Sequence, residues 1–383
     1  MRRTFLSVIA VLSVVALVAL PAGAADPKSY KIGAILAMTG GGAFYGKVMS
    51  QGAQLAMEEL NAKGGIDGIK FELVVEDHKS GQPKEAVSAI NKLVNIDKVP
   101  FVLTSYSSPT LAILPIATEH KVLLLNGGGV SPKLVQPGSV LFHNRVLASY
   151  QALGVVERAK ERGFKKMAML HWNDDAGNGA RDFIVPIWKK MGGTVVADEA
   201  HPVGATDFTT QIAKIKQAQP DFLAMWVWAK DIGIAVKQAR DLGFTAPIMG
   251  IEYTPDAAKI AGPALEGEEY VTDYFNPEGG DKWTRDFAAA YKKKYGEDPE
   301  IYAANYYEGV YILAELIRAA KKKGGEYWNG ERLKAALLEI RKFPSVYGGS
   351  VDFQEDGTSL KRVALFEVKG GKPTFRKFIE IKK

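Results

Sequence analysis

The chain has 383 residues, of which 47% are hydrophobic and 24% charged, with a net charge of +6 and no cysteine. This composition excludes a disordered or fibrous protein and provides enough apolar residues for about two globular domains. The positive charge is small for the length and the lysines are spread along the chain, so no nucleic-acid partner is expected.

The first 24 residues, MRRTFLSVIAVLSVVALVALPAGA, have the pattern of a secretory signal peptide. Arg2 and Arg3 form a basic start, an apolar run extends from Phe5 to Leu20, and small residues ending at Ala24 form a cleavage site. A membrane anchor is the alternative, but the run is short for a span and Pro21 ends it. Since no cysteine is present for lipid attachment or disulfides, we expect a free periplasmic protein cleaved near Ala24.

From Lys31 onward, short apolar strands alternate with amphipathic helices. Strands are predicted in KIGAILAM, IKFELVVED, PFVLTS and KVLLLN. Between the first two strands, Met49, Ala53, Met57 and Leu60 have the spacing of one helix face. Strands with apolar residues on both faces are typical of parallel sheets covered by helices. This part of the chain therefore predicts a doubly wound α/β domain.

The same alternation starts again after residue 150. Further strands are predicted in KKMAMLHW, GTVVADEA, DFLAMWVW, APIMGIE and EEYVTDYF, with helical segments between most of them. We therefore predict an α/β fold of two doubly wound α/β lobes joined by a three-crossing hinge. Two such lobes enclose a cleft, and clefts between domains are common binding sites for small ligands.

The hinge crossings are predicted where short polar or Gly/Pro stretches interrupt the pattern. They lie near residues 143–150, 273–278 and 345–352. After the signal peptide at residues 1–24, the first lobe would comprise residues 28–144 and 276–346, and the second lobe residues 145–275 and 347–383.

The carboxyl ends of the predicted strands are the expected place for a ligand in parallel α/β sheets. In the first lobe these ends carry TGGGAFYG at 39–46, the residues from Ser105 to Thr110, and NGGGV at 126–130. In the second lobe they carry Trp172, Trp228 and Glu252.

The stretch VLTSYSSPTLAIL places Ser108 and Pro109 where a buried strand gives way to a helix. Serine is a favoured N-cap, and proline is favoured at the first helical position. The N–H groups of such a helix start, together with the serine hydroxyl, can bind an anion such as a carboxylate. Ser108 could instead only cap its helix, and the pattern leaves both roles open.

Four other features at the strand ends allow two interpretations each. TGGGAFYG is either a weak phosphate-loop pattern or a turn that brings Tyr45 into the cleft. The glycines at 126–130 either let a ligand approach the backbone or form a tight turn. Trp226 is predicted to be in the core, whereas Trp228 is either core or a binding platform. Glu252 would hold a ligand ammonium group or be a solvated loop acid.

A convincing catalytic set is missing from the sequence. The five histidines lack metal-ligand spacing, and there is neither a G-x-S-x-G motif nor a cysteine nucleophile. Asp174 and Asp175 are adjacent loop acids, which are usually solvated. We expect a binding protein without a cofactor rather than an enzyme. An exported hydrolase with its active site between the lobes, and a sensor domain of the same fold, are the alternatives.

The motifs resemble those of the periplasmic substrate-binding proteins of ABC importers for branched-chain and other hydrophobic amino acids. IGAILAMTG, GAQLAMEELNAKGGIDG, SSPTLAILPIA, QARDLGF and IMGIE follow the pattern of this family in order and spacing, over essentially the whole mature chain. The resemblance implies a type I periplasmic binding fold, in which two lobes close on a ligand and present it to an ABC permease in the inner membrane.

The resemblance also implies roles for single residues. The family's binding serine falls on Ser108, or on Ser107 if the gap is placed differently. The aromatic residue of the first glycine loop falls on Tyr45, and an aromatic residue that closes over the ligand falls on Trp228. The glutamate that takes the ligand's amino group falls on Glu252.

Two positions depart from the family's pattern, and both lose a hydroxyl group. A small residue followed by threonine is replaced by Gly129 and Val130, and a tyrosine before a glycine is replaced by Ala176 before Gly177. Aromatic surface is added at Tyr106, Trp172 and Trp228. These differences favour a larger or aromatic carboxylate, or an amide-like ligand, over a branched-chain amino acid.

We therefore predict the monomeric solute-binding component of an ABC importer, which takes a hydrophobic or branched-chain amino acid or a related small carboxylate and delivers it to the permease. An aromatic carboxylate or an amide-type ligand is the alternative. The predicted ligand-binding residues are Tyr45, Tyr106, Ser107, Ser108, Gly128, Gly129, Val130, Trp172, Ala176, Trp228 and Glu252.

Overall fold

The computed structural model describes residues 26–380. The predicted signal peptide and its cleavage site lie outside these residues. In the described part, no helix combines the length and the apolar character that crossing a membrane requires. The apolar segments form two large sheets and the inner faces of the helices that pack on them, and a small third sheet completes the fold.

The first sheet has five parallel strands in the order β2-β1-β3-β4-β5. Every residue of β3 and β4 is buried, as expected for strands covered by helices on both faces. The elements in chain order are β1 (Tyr30–Leu36), α1 (Ala43–Ala62), β2 (Phe71–Asp77), α2 (Pro83–Asn95), β3 (Phe101–Thr104), α3 (Ser107–Glu119), β4 (Leu123–Asn126), a 3₁₀ turn (Pro132–Leu134) and β5 (Leu141–His143).

The second sheet has seven strands in the order β15-β14-β10-β9-β8-β6-β7. Its central strands are parallel, and the last two strands of the chain add an antiparallel edge. Its elements are α4 (Ala148–Glu161), β6 (Lys166–Trp172), α5 (Asp175–Lys190), β7 (Thr194–His201), α6 (Thr209–Gln217), β8 (Phe222–Trp226), α7 (Lys230–Asp241), β9 (Ile248–Gly250), α8 (Pro255–Ala261), a 3₁₀ turn (Gly262–Leu265), β10 (Glu269–Asp273), β14 (Val363–Lys369) and β15 (Lys372–Ile379).

After β10 the chain returns to the first sheet and forms three helices: α9 (Lys282–Tyr295), α10 (Ile301–Lys322) and α11 (Gly330–Ile340). Helix α10 packs closely along α1. A Cβ atom at Gly52 would lie 2.1 Å from the carbonyl oxygen of Ala303, so glycine is needed for this approach. The first sheet with α1–α3 and α9–α11 is called the first lobe below, and the second sheet with α4–α8 the second lobe. The predicted fold of two doubly wound α/β lobes is thus confirmed.

A small antiparallel sheet of β11 (Lys342–Pro344), β12 (Ser350–Phe353) and β13 (Ser359–Leu360) contacts the first lobe. The backbone N–H of His143 donates to the carbonyl of Gly357 at 2.9 Å, and the rings of Phe142 and Phe353 are 6.3 Å apart. The lobe boundaries remain a prediction. These contacts lead us to propose that the third crossing lies after β13, rather than near 345–352.

Paired charges are buried where the chain passes between the lobes. Arg145 lies between β5 and α4, and its Nε is 3.9 Å from Oδ2 of Asp273 at the end of β10. Nζ of Lys361, just after β13, is 2.5 Å from Oε1 of Glu308 on α10. Because a buried charge is costly unless it is paired, these contacts tie the crossings to each other and to the first lobe.

Candidate functional site

A cavity lies between the lobes at the carboxyl ends of the strands. This is the place where parallel α/β sheets bind ligands. Nine of the eleven predicted binding residues line the cavity, and Ser108 and Glu252 do not. The lining residues are Tyr45, Met49, Tyr106, Ser107, Gly128, Gly129, Val130, Trp172, Asp174, Ala176, Trp228 and Tyr302.

The start of α3 brings Ser107, rather than Ser108, to the cavity. Helix α3 begins at Ser107, and its N-cap residue is Tyr106, which has a φ of 61°. The predictions of Ser108 as N-cap and Pro109 as first helical residue are therefore wrong. The left-handed backbone at Tyr106, which is uncommon for a residue with a side chain, turns the chain into the helix one residue earlier than the sequence pattern indicates.

The hydroxyl of Ser107 connects α3 to the loop that follows β4. Its Oγ accepts backbone hydrogen bonds from Val130 at 3.1 Å and from Ser131 at 3.0 Å. The proton of this hydroxyl is therefore directed away from two donors and is available to an acceptor. Ser107 thus supplies both a structural link and a donor at the cavity wall.

The glycines of the loop after β4 allow close packing of protein atoms. A Cβ atom at Gly128 would lie 2.8 Å from Cε of Met49, and one at Gly129 would lie 2.8 Å from the carbonyl oxygen of Tyr106. The loop is held by Asn126, whose Oδ1 accepts the N–H groups of both glycines at 3.2 and 2.6 Å. The loop therefore forms a fixed wall of the cavity.

Aromatic rings from both lobes form one side of the cavity. The ring of Tyr106 stacks on that of Trp172, with centroids 6.2 Å apart and an interplanar angle of 23°. Trp172 also contacts Trp228, with centroids 5.1 Å apart. The indole Nε1 of Trp172 donates to Oδ2 of Asp231 at 2.9 Å, which fixes the orientation of its ring. The wall is thus suited to a flat apolar group.

Asp174 is an acidic group in the cavity lining that sequence reasoning treated as a solvated loop acid. It is the N-cap of α5, and its Oδ1 accepts the N–H groups of Ala176 at 3.0 Å and Gly177 at 2.9 Å. Burial raises the pKa of Asp174, although these two hydrogen bonds oppose the effect. Its carboxyl group is therefore less readily ionised than that of an exposed aspartate.

Glu252 lies beside the cavity wall, with 1% of its surface exposed, so the interpretation as a solvated loop acid is wrong. Its two carboxylate oxygens accept hydrogen bonds from the hydroxyl groups of Tyr45 and Tyr302, both in the first lobe. The hydroxyl oxygen of Tyr45 also accepts the backbone N–H of Ala229 at 2.6 Å. The second lobe is thereby bonded to the first at this point.

A buried guanidinium group completes the surroundings of Glu252. Nη2 of Arg145 is 3.8 Å from Oε2 of Glu252, and Nη1 donates to the carbonyl of Gly128 at 3.0 Å. The guanidinium also lies over the ring of Tyr302, 4.5 Å from its centroid. Burial raises the pKa of Glu252, while Arg145 and the tyrosine hydroxyls act in the opposite direction.

A buried serine–histidine pair lies outside the cavity lining and is oriented against nucleophilic catalysis. Nε2 of His78 is 2.9 Å from Oγ of Ser105, and Nδ1 of His78 accepts the N–H of Gly81 at 3.0 Å. Because Nδ1 is an acceptor, Nε2 carries the proton and donates it to the serine. Burial lowers the pKa of His78 to about 4. The histidine is therefore not placed to remove the serine proton.

Sequence reasoning did not select Met49, Asp174 and Tyr302 from the lining, nor Arg145 beside Glu252. Met49 and Tyr302 have the helical spacing of core residues, and nothing in their neighbourhood distinguishes them. Arg145 lies two residues after the strand β5, and an arginine so close to a buried strand was a usable signal. Within residues 26–380 there is no group of three histidine or acidic side chains that could hold a metal ion.

Comparisons with known proteins agree with this architecture. The "Leu/Ile/Val-binding protein homolog 1" of Brucella abortus is 28% identical over 363 residues, which cover 93% of each chain. The structure of the branched-chain amino acid substrate-binding protein LivJ of Streptococcus pneumoniae in complex with isoleucine is 28% identical, with a TM-score of 0.82, and covers 92% of this chain and 99% of that one.

A third structure shares the fold at lower identity. It is an ABC-transporter solute-binding protein from R. palustris in complex with benzoate, 20% identical, with a TM-score of 0.82, covering 91% of this chain and 96% of that one. The model of the family described as periplasmic binding protein matches residues 29–372. The resemblance stated from the sequence motifs is confirmed, and the chain belongs to the periplasmic binding protein family.

Proposed function

We propose that the chain is the solute-binding component of an ABC importer and that its cleft takes a small carboxylate with a flat apolar body and no ammonium group. The observation that carries the ligand class is the state of Glu252. Both of its oxygens accept hydrogen bonds from tyrosine hydroxyls of the opposite lobe, and Arg145 lies beside it.

An amino-acid ligand would meet two obstacles at Glu252. Its ammonium group would have to displace the hydroxyls of Tyr45 and Tyr302, which now satisfy the buried carboxylate. It would also approach the guanidinium of Arg145, which carries the same sign of charge. Repulsion between like charges is strong in a buried site, because little solvent screens it. A ligand without an ammonium group leaves this arrangement intact.

The carboxylate of the ligand is best received at the start of α3. An α-helix leaves the N–H groups of its first turn without intrahelical acceptors, and its dipole favours an anion there. The hydroxyl of Ser107 adds a donor at the same end of the helix, and the rigid loop at Gly128 and Gly129 closes the other side. The apolar part of the ligand then lies against Tyr106, Trp172 and Trp228.

A hydrophobic amino acid is the second candidate, and Asp174 is the observation that favours it. Its carboxyl group belongs to the cavity lining, on the second lobe. An ammonium group bound there would not use Glu252 as its partner. It would stabilise the ionised form of Asp174. The relatives named for leucine, isoleucine and valine, and the isoleucine complex, also support this class.

Closure of the lobes and delivery to a permease complete the proposal. A ligand that contacts both lobes favours the closed arrangement, because only that arrangement makes both sets of contacts. The family is periplasmic, and we propose that cleavage near Ala24 releases the chain as a free monomer that presents its ligand to a permease in the inner membrane.

Calorimetric titration of the mature protein with matched ligand pairs tests the ligand class. The pairs differ only in the amino group: 3-phenylpropionate and phenylalanine, and 4-methylpentanoate and leucine. We expect the acids to bind at least about tenfold more tightly than the amino acids, since the amino acid leaves an ammonium group near Arg145 or without a partner. Tighter binding of the amino acids would contradict the proposal. If Asp174→Asn then abolished that binding, the second candidate would stand.

A further inference from the structure

Two buried polar atoms at the cavity have no hydrogen-bond partner among residues 26–380. They are Nε1 of Trp228, in the second lobe, and the hydroxyl oxygen of Tyr106, in the first. Both residues line the cavity, and their side chains are almost fully buried, with exposed fractions of 3% and 8%. Buried tryptophan and tyrosine normally pair their polar atoms, because a buried donor without an acceptor lowers stability.

Two other tryptophans each differ from Trp228 in one respect. Trp172 lines the same cavity, and its Nε1 donates to Asp231. Trp226 lies two residues before Trp228, and its Nε1 also has no partner in the described part of the chain, but it does not line the cavity. Trp228 therefore differs from Trp172 because its Nε1 has no protein acceptor. It differs from Trp226 because it lines the cavity.

Tyr106 and Trp228 both lie at strand-to-helix turns, just before α3 and α7. Tyr106 immediately precedes α3 and has a φ of 61°, and Ala229, which follows Trp228 and immediately precedes α7, has a φ of 56°. Each lobe thus has an uncommon left-handed residue at a strand-to-helix turn, and a cavity-lining aromatic residue lies at that position or directly before it. Trp172 contacts both rings, so the two rings belong to one aromatic wall.

We propose that Nε1 of Trp228 donates a hydrogen bond to a second acceptor atom of the ligand, separate from the carboxylate at Ser107, and that the Tyr106 hydroxyl binds the same polar group. This inference rests on the proposed function, since it assumes that the first end of the ligand is a carboxylate. The ligand class is then a carboxylate whose apolar body carries a second polar group. Such a ligand is held by both lobes, which favours closure.

The charges around the wall indicate the kind of second group. Burial, together with the acidic side chains of Glu252, Asp174 and Asp231, raises the pKa of Tyr106. A second carboxylate beside these acids would be repelled, whereas a neutral hydroxyl or carbonyl oxygen would not. The second acceptor is therefore a hydroxyl or carbonyl group on the apolar body.

Binding of parent and hydroxylated acids to wild type and two tryptophan variants tests the inference. The probes are benzoate, 3-phenylpropionate and their 3- and 4-hydroxylated ring derivatives. We expect wild type to bind at least one hydroxylated acid about tenfold more tightly than its parent acid. Trp228→Phe keeps an apolar ring but loses the donor, so the ratio of the two affinities should fall to within about twofold. Trp226→Phe is the matched control and should keep the full preference.

The possible failures are distinguishable. If none of the acids binds wild type, the proposed function fails and the inference fails with it. If the acids bind but hydroxylation gives no advantage, or Trp228→Phe weakens parent and hydroxylated acids equally, the inference alone is overturned. Should Trp228→Phe not fold, the indole N–H resonances of ¹⁵N-tryptophan-labelled wild type decide the matter. The Trp228 signal is assigned by elimination, with single-site variants of the other tryptophans. It should shift with the hydroxylated acid and not with its parent. The inference is contradicted if the signal responds equally to both acids.

Discussion

The hydroxyl of Tyr45 on α1 donates a hydrogen bond to Glu252 across the cleft. The same oxygen accepts the N–H of Ala229, so one side chain of the first lobe is bonded to two segments of the second. Tyr302 adds a parallel bond to Glu252. These contacts are formed by protein groups alone, and they stabilise the closed arrangement independently of a ligand.

Replacing Tyr45 by phenylalanine should therefore shift the unliganded protein toward an open arrangement. The substitution removes both bonds and leaves a buried N–H and a carboxylate oxygen unpaired, which costs about 1–3 kcal/mol in the closed arrangement. Small-angle scattering of the unliganded protein should give a larger radius of gyration than for wild type. Ligand affinity should fall by about tenfold, because binding must then also close the lobes.

Tyr311→Phe is the matched control for this variant. Tyr311 on α10 donates to Glu59 on α1 at 2.7 Å, so this bond lies within the first lobe. We expect its radius of gyration and ligand affinity to be those of wild type. Equal behaviour of the two variants would show that the Tyr45 bond does not govern closure.

Glu252→Gln tests whether Glu252 holds an ammonium group of the ligand. Glutamine preserves the shape of the side chain and can still bond to both tyrosine hydroxyls, as acceptor and as donor. For a ligand without an ammonium group, we expect the affinity measured by calorimetry to change by less than about threefold. If Glu252 held a ligand ammonium group, loss of a charged hydrogen bond would weaken binding by about 10- to 150-fold. Such a loss would refute the role assigned here.

Ser107→Ala should affect stability and binding together, whereas Ser108→Ala should affect neither strongly. The first variant removes the acceptor of the Val130 and Ser131 N–H groups, so urea unfolding should show a loss of about 1–3 kcal/mol. Ligand affinity should also fall, because a donor to the carboxylate is lost. Ser108 is half-buried and does not line the cavity. Weaker binding in Ser108→Ala than in Ser107→Ala would restore the position predicted from the sequence.

The difference between these two serines shows where sequence reasoning reached its limit. The alternation of short apolar strands and amphipathic helices predicted both lobes, because burial on both faces of a parallel sheet leaves a clear pattern. The helix boundary at Ser107 depends on the left-handed backbone of Tyr106, for which no local residue pattern exists. Because the helix begins one residue earlier than the pattern indicates, the other of the two serines lines the cavity.

Glu252 was selected from the sequence, but its partners could not be derived. Tyr45, Arg145 and Tyr302 approach it from distant parts of the chain, and only the assembled fold brings them together. The role of all eleven predicted residues in binding a ligand stays a prediction. What the structure adds is that nine of them line one cavity and that Glu252 is already satisfied beside it.

Gly42→Ala should weaken binding through Tyr106. A Cβ atom at Gly42 would lie 2.0 Å from the hydroxyl oxygen of Tyr106, so the ring must move along the aromatic wall. We expect ligand affinity to fall by at least about tenfold, since a displaced ring loses its packing against a flat ligand. In the control Gly41→Ala, the nearest atom would be Cα of Gly204 at 3.6 Å, which is an ordinary contact. Similar affinities for the two variants would contradict this account.

Asp231→Asn should stabilise the protein at neutral pH. Burial raises the pKa of Asp231 to about 6, against about 3.9 in an unfolded chain. Between these values the unfolded chain binds fewer protons than the folded protein, so wild-type stability decreases as the pH rises from about 4 to about 6. The decrease due to this group is about 3 kcal/mol at pH 7.

Asparagine abolishes this titration while it keeps the contacts, because Oδ2 of Asp231 accepts both the Trp172 indole N–H and the Gly204 N–H at 2.8 Å. A single amide oxygen can take the same two bonds. Urea unfolding at pH 4, 5, 6 and 7 should show a flatter pH dependence for Asp231→Asn than for wild type, with the variant the more stable at pH 7. If the variant is instead less stable at pH 7, the ionised carboxylate is the form that orients Trp172, and the aromatic wall depends on that charge.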